Sequence, residues 1–350
     1  MSDALLHALI GTDLGNGWKL EAHLERNGGA TGACHSFPFT ARHTNGQRAF
    51  VKILDPIPDP NLPDDEQLPD LEKRLAVFNY ERDLADKCMD RRISRVVRAL
   101  GRGSIKVDGF PIPVHYLMFE LAERDLREHA TLGQTLNTAW NLYILHQAAL
   151  GLEALHFNRI AHRDLKPSNV LLFDELVTKL GDLGSAFDRG IPRPDEDRGI
   201  AGDTAHAPPE QLYRFHPEEW DTRCLAADLY LLGSLVVFMF TNVSMTAQIG
   251  GQLLPQHHWD AWPGKYNDAL PYVREAWDAV LEELAGTVPE VVRDELVELT
   301  RYLTHPEPDR RGHPRNRVGG DSNFGVRRFS SRFNVMRARV EQGNRSEQVA

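Results

Sequence analysis

The strongest constraint on the fold is a change of residue pattern part-way along the chain. Before about residue 122, short runs rich in β-branched and aromatic residues alternate with Gly-, Asn- and Pro-containing breaks, as in WKLEAHLER, CHSFPFTAR, RAFVKIL, VVRALGRGSI and PVHYLMFELA. Farther on, apolar residues recur at helical spacing, most clearly in NTAWNLYILHQAALGLEALHF. Strands followed by helices predict an α+β protein with a β-rich N-terminal region and a mainly helical C-terminal region.

Composition narrows the function classes. A chain of 350 residues is long enough for two domains of about 100–200 residues each. Its net charge of −10 argues against a nucleic-acid partner, because phosphate binding needs clustered Lys and Arg. Cys34, Cys88 and Cys224 form no C-x-x-C pair, so we expect a reducing, cytoplasmic setting without structural disulfides. The apolar run from Leu229 is shorter than the ~20 residues of a membrane span, and we interpret it as a buried helix.

Two polar segments stand apart from this pattern. The segment DPIPDPNLPDDEQLPD, at about 55–70, is rich in Pro and acids and predicts a solvated insertion, followed by a helix through LEKRLAVFNYERDLADKC. The tail after 314 is rich in Arg and contains the apolar positions Phe329, Phe333 and Met336 at helical spacing. The tail predicts a short helix, and the pattern favours a loosely packed terminal helix over one that docks elsewhere. Its arginines are either solvated or bind an acidic partner.

The expected organisation is therefore an N-terminal segment at 1–14, a β-rich lobe at 15–122 containing the insertion, a helical lobe at 123–314 and a basic tail at 315–350.

The stretch HRDLKPSN carries an unusual density of polar groups between two apolar runs. Asp164 can accept a proton, Lys166 can neutralise phosphate charge, and Asn169 can offer a carbonyl oxygen to a hard cation. A further carboxylate, Asp182 in KLGDLGSAF, follows Asn169 by thirteen positions across the hairpin-like run VLLFDELVTKL. That hairpin would return the chain to the same metal ion. These are the groups that phosphoryl transfer requires.

With these motifs the sequence resembles the eukaryotic-like (Hanks-type) Ser/Thr protein kinase family. HRDLKPSN matches the catalytic loop of that family, and DLG stands for its more usual D-F-G. The resemblance implies a bilobal fold, ATP and Mg²⁺, with Mn²⁺ as the alternative, and a catalytic Asp164 and Lys166 with metal ligands Asn169 and Asp182. It also implies that Lys52 in FVKIL holds the nucleotide's α- and β-phosphates.

The same resemblance implies a helix glutamate that pairs with Lys52. We assign Glu81 in FNYERDL, because Phe78 and Leu84 around it fit a core-facing stripe, and we keep Glu72 as the alternative. The nucleotide-binding residues that the resemblance implies lie in the loop NGGATGAC, in the strand of Lys52 and in LMFELAE; they are Asn27, Gly29, Gly32, Cys34, Phe50, Lys52, Phe119, Glu120 and Ala122.

Two of those positions depart from the family pattern. Asn27 stands where the family has a first Gly, and Phe50 stands where it has a small Ala over the adenine. The phenyl ring of Phe50 is expected to narrow the adenine site, and Phe119 is expected to exclude large ligands from its rear. Glu120 and Ala122 would offer backbone hydrogen bonds to a purine edge.

Downstream motifs continue in the family's order. GDTAHAPPEQL resembles the end of the activation segment, with Glu210 matched to an arginine, Arg311, and Asp228 matches the aspartate that holds the catalytic loop. Ser185 and Thr204 are the only hydroxyl residues between Asp182 and Glu210. Thr204 falls where a residue contacting the substrate is expected, with Asp203 as the competing alignment. We hypothesise that Asp195, Glu196 or Asp197 pairs with Arg163 and orders the segment without phosphorylation.

Three functions fit these observations. The leading one is transfer of the γ-phosphoryl group of ATP to Ser or Thr of a protein substrate, since Lys166 two places after Asp164 is typical of Ser/Thr enzymes of the family. A pseudokinase, acting as a nucleotide- or partner-binding module, is the alternative that Phe50 and Asn27 favour. A small-molecule phosphotransferase on a related fold is disfavoured by the Glu210 segment, which builds a peptide platform in protein kinases.

Overall fold

The structure is a computed structural model that describes residues 3–24, 36–59, 61–107, 113–131, 137–173, 177–196, 199–318 and 322–349. Its contacts divide the chain into two compact units. Unit 1 comprises residues 1–123 together with 192–196, and unit 2 comprises residues 124–191 and 197–350. Unit 1 is β-rich and unit 2 mainly helical, as the residue pattern predicted.

Unit 1 is built on a six-stranded antiparallel sheet in the order β1-β2-β3-β4-β6-β5. Its strands are β1 Asp13–Gly15, β2 Trp18–His23, β3 Ser36–His43, β4 Arg48–Leu54, β5 Ala99–Ile105 and β6 Val114–Glu120. Successive side chains of β4 point to opposite faces of the sheet, and Ala49, Val51 and Ile53 on one face are completely buried. The helix α1, Asp3–Leu9, covers this face with Leu5 and Leu9, which are also fully buried. The N-terminal segment is therefore part of the core of unit 1.

The second helix of unit 1, α2, begins earlier than the sequence predicted and spans Asp64–Asp90. Three acids in its first turn complement the helix dipole, which favours a helix start at this point. Arg74 then ties the helix to the preceding segment, because its guanidinium donates to the Ile57 carbonyl (3.2 Å) and pairs with Asp70 (2.5 Å). The prediction that this insertion is not helical is therefore wrong for residues 64–70, even though Pro69 lies inside the helix. The prediction that it is solvated is confirmed there, because these residues are exposed or half-buried.

The described residues of unit 2 form mainly helices, together with five short strands. Its strands are β7 Arg124–Asp125, β8 Ile160–Ala161, β9 Val170–Leu172, β10 Thr178–Leu180 and β11 Phe187–Asp188. Its helices are α3 Leu126–Thr131, α4 Thr138–Phe157, α5 Pro209–Leu212, α6 Ala226–Thr241, α7 Met245–Gln252, α8 Tyr266–Thr287, α9 Glu290–Thr304, α10 Pro314–Val318 and α11 Arg327–Val349.

The centre of unit 2 is α6. Together with the π-turn before it, this helix makes Asp221–Thr241 the stretch of the described chain that is long and apolar enough to span a membrane by length and composition. However, 89% of its apolar window is buried inside the protein. Burial of this kind is typical of a core helix, as the sequence predicted.

The C-terminal helix α11 packs along α4 and belongs to unit 2. Phe329, Phe333 and Met336 on its apolar face are fully buried. The prediction of a short, loosely packed terminal helix is therefore wrong: the helix is 23 residues long and anchored by two phenyl rings. Arg332 and Arg339 from this helix both pair with Glu295 of α9, so the acidic partner of these two arginines lies in the same chain.

Candidate active site

In unit 1, Lys52 and Glu81 form a buried ion pair. The Lys52 Nζ lies 2.9 Å from Oε1 and 2.7 Å from Oε2 of Glu81. The register of β4 places Lys52 opposite Leu117, and Glu81 lies on the buried face of α2 between Phe78 and Leu84. Glu72, the alternative partner, is exposed. Burial of the pair fixes the ammonium group in one position, because each charge would otherwise lie unpaired in the protein interior.

The remaining nucleotide-binding predictions in unit 1 fall partly on described residues. Phe50 on β4 lies directly opposite Phe119 on β6, with Phe119 buried and Phe50 half-buried. The Glu120 carboxylate accepts a hydrogen bond from the Arg98 amide (2.7 Å), which ties the end of β6 to the segment before β5. Ala122 follows in the half-buried segment that ends unit 1. The predicted glycine loop, with Asn27, Gly29, Gly32 and Cys34, lies outside the described residues.

In unit 2, Asp228 binds the backbone of the HRDLKPSN stretch. This aspartate is fully buried at the start of α6. Its two carboxylate oxygens accept the backbone N–H groups of His162 (2.7 Å) and Arg163 (2.6 Å). Arg163 has φ 63°, a left-handed backbone conformation that is costly for a residue with a side chain. Asp228 thus supplies the two charge-assisted hydrogen bonds that hold this bend.

The hairpin of β9 and β10 returns the chain to the loop, as the spacing predicted. The Gly181 amide donates to the Asn169 carbonyl (2.9 Å), and the His162 Nε2 lies 3.0 Å from the Gly181 carbonyl. Because the His162 Nδ1 accepts from the Asp164 amide (3.3 Å), Nε2 is the ring nitrogen that carries the proton. These bonds bring Asp182, the next residue after Gly181, to the catalytic loop.

The Asn169 side chain binds both the backbone and the carboxylate of Asp164. Its Nδ2 donates both to the Asp164 carbonyl (2.7 Å) and to the Asp164 Oδ2 (3.0 Å). With both N–H groups engaged, the Asn169 amide oxygen is the atom left for a cation. Asp182 has φ 54°, and its Oδ1 accepts from the Gly184 amide (3.2 Å).

The donor set fits Mg²⁺. An amide oxygen and a carboxylate are hard oxygen ligands, and Mg²⁺ is usually held by one or two such groups while keeping waters and substrate phosphates. No cluster of three or more His, Cys, Asp or Glu side chains able to hold a metal occurs in the described part of the chain. Asn169 and Asp182 together would leave the other coordination positions of a bound Mg²⁺ to waters and phosphate oxygens.

Lys166 lies between two carboxylates. Its Nζ is 3.2 Å from Oδ2 of Asp164 and 3.4 Å from Oδ2 of Asp203, and all three side chains are buried. The Asp203 amide also donates to the Asp164 Oδ1 (3.1 Å). Gly202 just before it has φ 77°, and a Cβ there would lie 2.5 Å from that same oxygen, so only glycine fits.

Asp203 is the site residue that the sequence did not assign. The sequence offers Asp203 only as the competing alignment to Thr204, at the position where a residue contacting the substrate is expected. In the structure Asp203 is buried and its Oδ2 lies 3.4 Å from the Lys166 Nζ, whereas Thr204 is exposed.

Burial and charge both act on Asp164. Desolvation raises the pKa of its carboxyl group above 3.8, and the Lys166 ammonium opposes the rise while the Asp182 carboxylate adds to it. A raised pKa makes the carboxylate a stronger proton acceptor than an exposed aspartate. Nearby, burial lowers the pKa of His206 to about 4, so this side chain is neutral near pH 7.

The predicted structural partners Glu210 and Arg311 also meet in unit 2. The guanidinium donates to both carboxylate oxygens at 2.7 and 2.6 Å, and both side chains are buried. Asp195, one of the three acids that we expected to pair with Arg163, forms a buried ion pair within unit 1 with Arg193 (2.5 Å), two residues before it. Asp197, another candidate for that role, lies outside the described residues.

Comparison with known families agrees with this geometry. The sequence profile of the protein kinase domain matches residues 76–316, more than half of the chain. The chain belongs to the protein kinase family. The matched residues of this kinase domain include Glu81 and the whole loop from His162 to Asn169, whereas Lys52 precedes them and is placed by its ion pair with Glu81.

Individual relatives resemble this kinase domain over shorter stretches. It is 36% identical over 140 residues to serine/threonine-protein kinase PTK2/STK2 of Saccharomyces cerevisiae, covering 36% of this chain and 17% of the relative. It is 36% identical over 135 residues to cyclin-dependent kinase E-1 of Arabidopsis thaliana, covering 34% and 29%. Myosin-IIIb of Mus musculus is 30% identical over 210 residues, covering 55% and 14%. The matches thus span less than a third of each of these relatives.

Proposed function

We propose that this protein is an ATP-dependent protein kinase that transfers the γ-phosphoryl group to Ser or Thr of a protein substrate. The observation that carries the proposal is the bonded set around Asp164: Lys166, Asn169 and Asp203 all contact it or its loop. A pseudokinase has no physical need for a buried carboxylate with a raised pKa beside a paired lysine.

In the proposed reaction Asp164 orients the acceptor hydroxyl and takes its proton, and Lys166 stabilises the charge on the transferring phosphoryl group. Lys52, fixed by Glu81, binds the α- and β-phosphates. Asn169 and Asp182 would hold Mg²⁺, whose positive charge would neutralise phosphate charge when bound. Preference for Ser and Thr is supported by Lys166, and by the name of the yeast relative, which is a serine/threonine-protein kinase.

The decisive test is transfer of label from γ-labelled ATP with Mg²⁺ to a basic protein substrate, chosen because the net charge of −10 favours a cationic partner. Asp164→Asn is expected to lower the rate by about 10²–10³-fold or more. Asp260→Asn, at an aspartate whose side chain is 82% exposed, is the matched control and should keep full activity.

Analysis of the labelled amino acid separates the finer alternatives. Label on Ser or Thr supports the proposal, and label on Tyr would correct its specificity. If nucleotide raises the thermal midpoint of the wild-type protein but no label appears in any protein, the pseudokinase alternative replaces the enzyme.

A further inference from the structure

Two hydroxyl side chains outside the sequence motifs hold the backbone around Asp203, residues 203–207, here named the Asp203 loop. Within this loop the Asp203 carbonyl accepts from the amides three and four residues later (3.0 and 2.9 Å). The Asp203 Oδ1 accepts from the Ala205 amide (2.9 Å), while Oδ2 lies 3.4 Å from the Lys166 Nζ. The conformation of the Asp203 loop therefore determines where its carboxylate meets Lys166.

Three successive carbonyl groups of the Asp203 loop accept hydrogen bonds from the start of α7. The Ser244 Oγ donates to the Ala205 carbonyl (2.7 Å). The Thr246 Oγ1 lies 3.0 Å from the carbonyl oxygen of His206 and 2.9 Å from that of Ala207, and its single hydrogen is donated to this pair. Both hydroxyl side chains are buried, so water does not replace these bonds.

A third hydroxyl group, from α6, fixes Thr246 in turn. The Tyr230 hydroxyl lies 3.1 Å from the Thr246 Oγ1. Because the Thr246 hydrogen points to the loop carbonyls, Tyr230 is the donor in this contact. Tyr230 is fully buried, two residues after Asp228, which binds the backbone of the HRDLKPSN stretch. The helix α6 therefore binds the catalytic loop through Asp228 and the Asp203 loop through Tyr230 and Thr246.

The geometry around the Asp164 carboxylate depends on both connections. The Asp203 amide donates to the Asp164 Oδ1 (3.1 Å). Lys166 pairs with the Asp164 Oδ2 (3.2 Å) and with the Asp203 Oδ2 (3.4 Å). Misplacement of a reacting group by about 1 Å can lower a rate by about 10²-fold. A bond that fixes the Asp203 loop therefore acts on the reaction without touching the substrate.

We propose that Thr246 is a positioning residue for phosphoryl transfer. Its hydroxyl fixes the Asp203 loop, and the Asp203 carboxylate then holds Lys166 beside Asp164. This role rests on the proposed kinase function and deepens it, because it concerns the same site. Loss of the hydroxyl is expected to lower kcat and to leave the KM for ATP unchanged, since Lys52, which is assigned to the nucleotide phosphates, lies in unit 1.

The test compares Thr246→Val with Thr246→Ser in the label-transfer assay, at a temperature where circular dichroism shows every variant to be folded. Valine has nearly the shape of threonine but no hydroxyl, so it removes the donor to the loop carbonyls and the acceptor for Tyr230. Serine keeps the hydroxyl. We expect Thr246→Val to lower kcat by about tenfold or more, and Thr246→Ser to keep kcat within about twofold of the wild-type value.

The matched control is Thr300→Val. Thr300 is fully buried in α9, and its hydroxyl donates to the Leu296 carbonyl (2.7 Å) of the same helix. The control therefore removes a buried hydroxyl bond, as Thr246→Val does, in another part of unit 2. A merely structural effect would lower the thermal midpoint in both variants, whereas only Thr246→Val should lower kcat.

Amide hydrogen exchange of the full chain, followed by mass spectrometry, measures the hold on the loop without turnover. In Thr246→Val the amides of residues 203–207 are expected to exchange about tenfold faster or more than in the wild type, and in Thr300→Val at the wild-type rate. If the wild type transfers no label, the proposed function fails, and the exchange measurement alone decides the role of Thr246.

Three results would overturn the positioning role. The first is a wild-type kcat in Thr246→Val. The second is a loss of kcat in Thr246→Ser or Thr300→Val as large as that in Thr246→Val. The third is exchange of the Asp203 loop at the wild-type rate in Thr246→Val.

Discussion

The buried pair of Glu210 and Arg311 offers the sharpest stability prediction. The side chains are 3% and 0% exposed, and the two N–H···O bonds measure 2.7 and 2.6 Å. Glu210→Gln keeps the shape of the side chain but removes its charge, which leaves a guanidinium buried without a counter-charge. Removing one partner of a buried pair typically costs about 3–5 kcal/mol of unfolding free energy.

Other contacts of Arg311 place the expected loss at the low end of that range. Its Nε donates to the His305 carbonyl (2.8 Å), and one terminal nitrogen lies 3.2 Å from the Ala226 carbonyl. The guanidinium also lies over the Tyr230 ring, 4.9 Å from its centroid. These groups retain part of the stabilisation of the cation. We therefore expect a loss of about 3 kcal/mol, which lowers the thermal midpoint by about 6–12 °C for a unit of about 150–250 residues.

The assay is thermal unfolding followed by circular dichroism, at the same pH and salt for all variants. The matched control is Asp278→Asn, which breaks the exposed pair of Asp278 with Arg301, whose side chains are 51% and 43% exposed. A surface pair of this kind contributes about 0–1 kcal/mol. If Glu210→Gln lowers the midpoint no more than Asp278→Asn does, the assignment of a large stabilising role to the buried pair is refuted.

Three further predictions address the loop, the tail and the pH dependence. Asp203→Asn removes the second carboxylate that pairs with Lys166. In the transfer assay kcat is therefore expected to fall by up to about 10²-fold, with the KM for ATP unchanged. An unchanged kcat would show that the ion pair of Lys166 with Asp203 is dispensable. Phe329→Ala empties a fully buried position on α11 and should lower the free energy of unfolding by about 3–5 kcal/mol. Val335→Ala, at a 49% exposed position on the same helix, should lower it far less. Equal losses in the two variants would contradict the packing of the tail. Burial lowers the pKa of His206 and of His305 to about 4, against 6.5 when exposed, so between these pH values the unfolded chain binds more protons than the folded chain. The thermal midpoint of unfolding is therefore expected to fall as the pH drops from about 6.5 to 4. A midpoint that stays constant in the wild type over that range, or falls equally in the double variant with Asn at both positions, would contradict this expectation.

Local sequence patterns sufficed for many elements of the fold. The run RAFVKIL forms β4 at Arg48–Leu54, and the apolar spacing after Asn137 forms α4 with that asparagine as its N-cap, accepting from the Ala139 amide. These elements are determined by alternation, helical periodicity and capping, which act within a few residues. The loop HRDLKPSN was likewise recognisable, because its residues match a motif of the protein kinase family at fixed spacing.

Where the sequence misled, the missing information was a distant contact. Pro and acidic residues at 55–70 argue locally against a helix, yet α2 starts at Asp64, and Arg74 of this helix binds Asp70 and the Ile57 carbonyl. The sequence of the tail predicted loose packing, whereas α11 packs on α4 and buries Phe329 and Phe333. Nothing in the sequence of the tail indicates that α4 offers this surface. The tail gains its stability from α4, far along the chain, whereas the start of α2 is tied to the Ile57 carbonyl, 17 residues before Arg74. Local propensity includes neither contact.

The sequence by itself thus determined the order of strands and helices and the identity of the catalytic-loop residues, since both are written in short-range spacing. The sequence also favoured Glu81 over Glu72 as the partner of Lys52, and the structure confirmed it. Only the tertiary structure decided that Asp203 rather than Thr204 meets Lys166, and that Arg332 and Arg339 pair with Glu295. Each of these choices is between similar residues a few positions apart or between solvent and a distant partner. The energy that separates them is burial and ion pairing, and these exist only once the chain has folded.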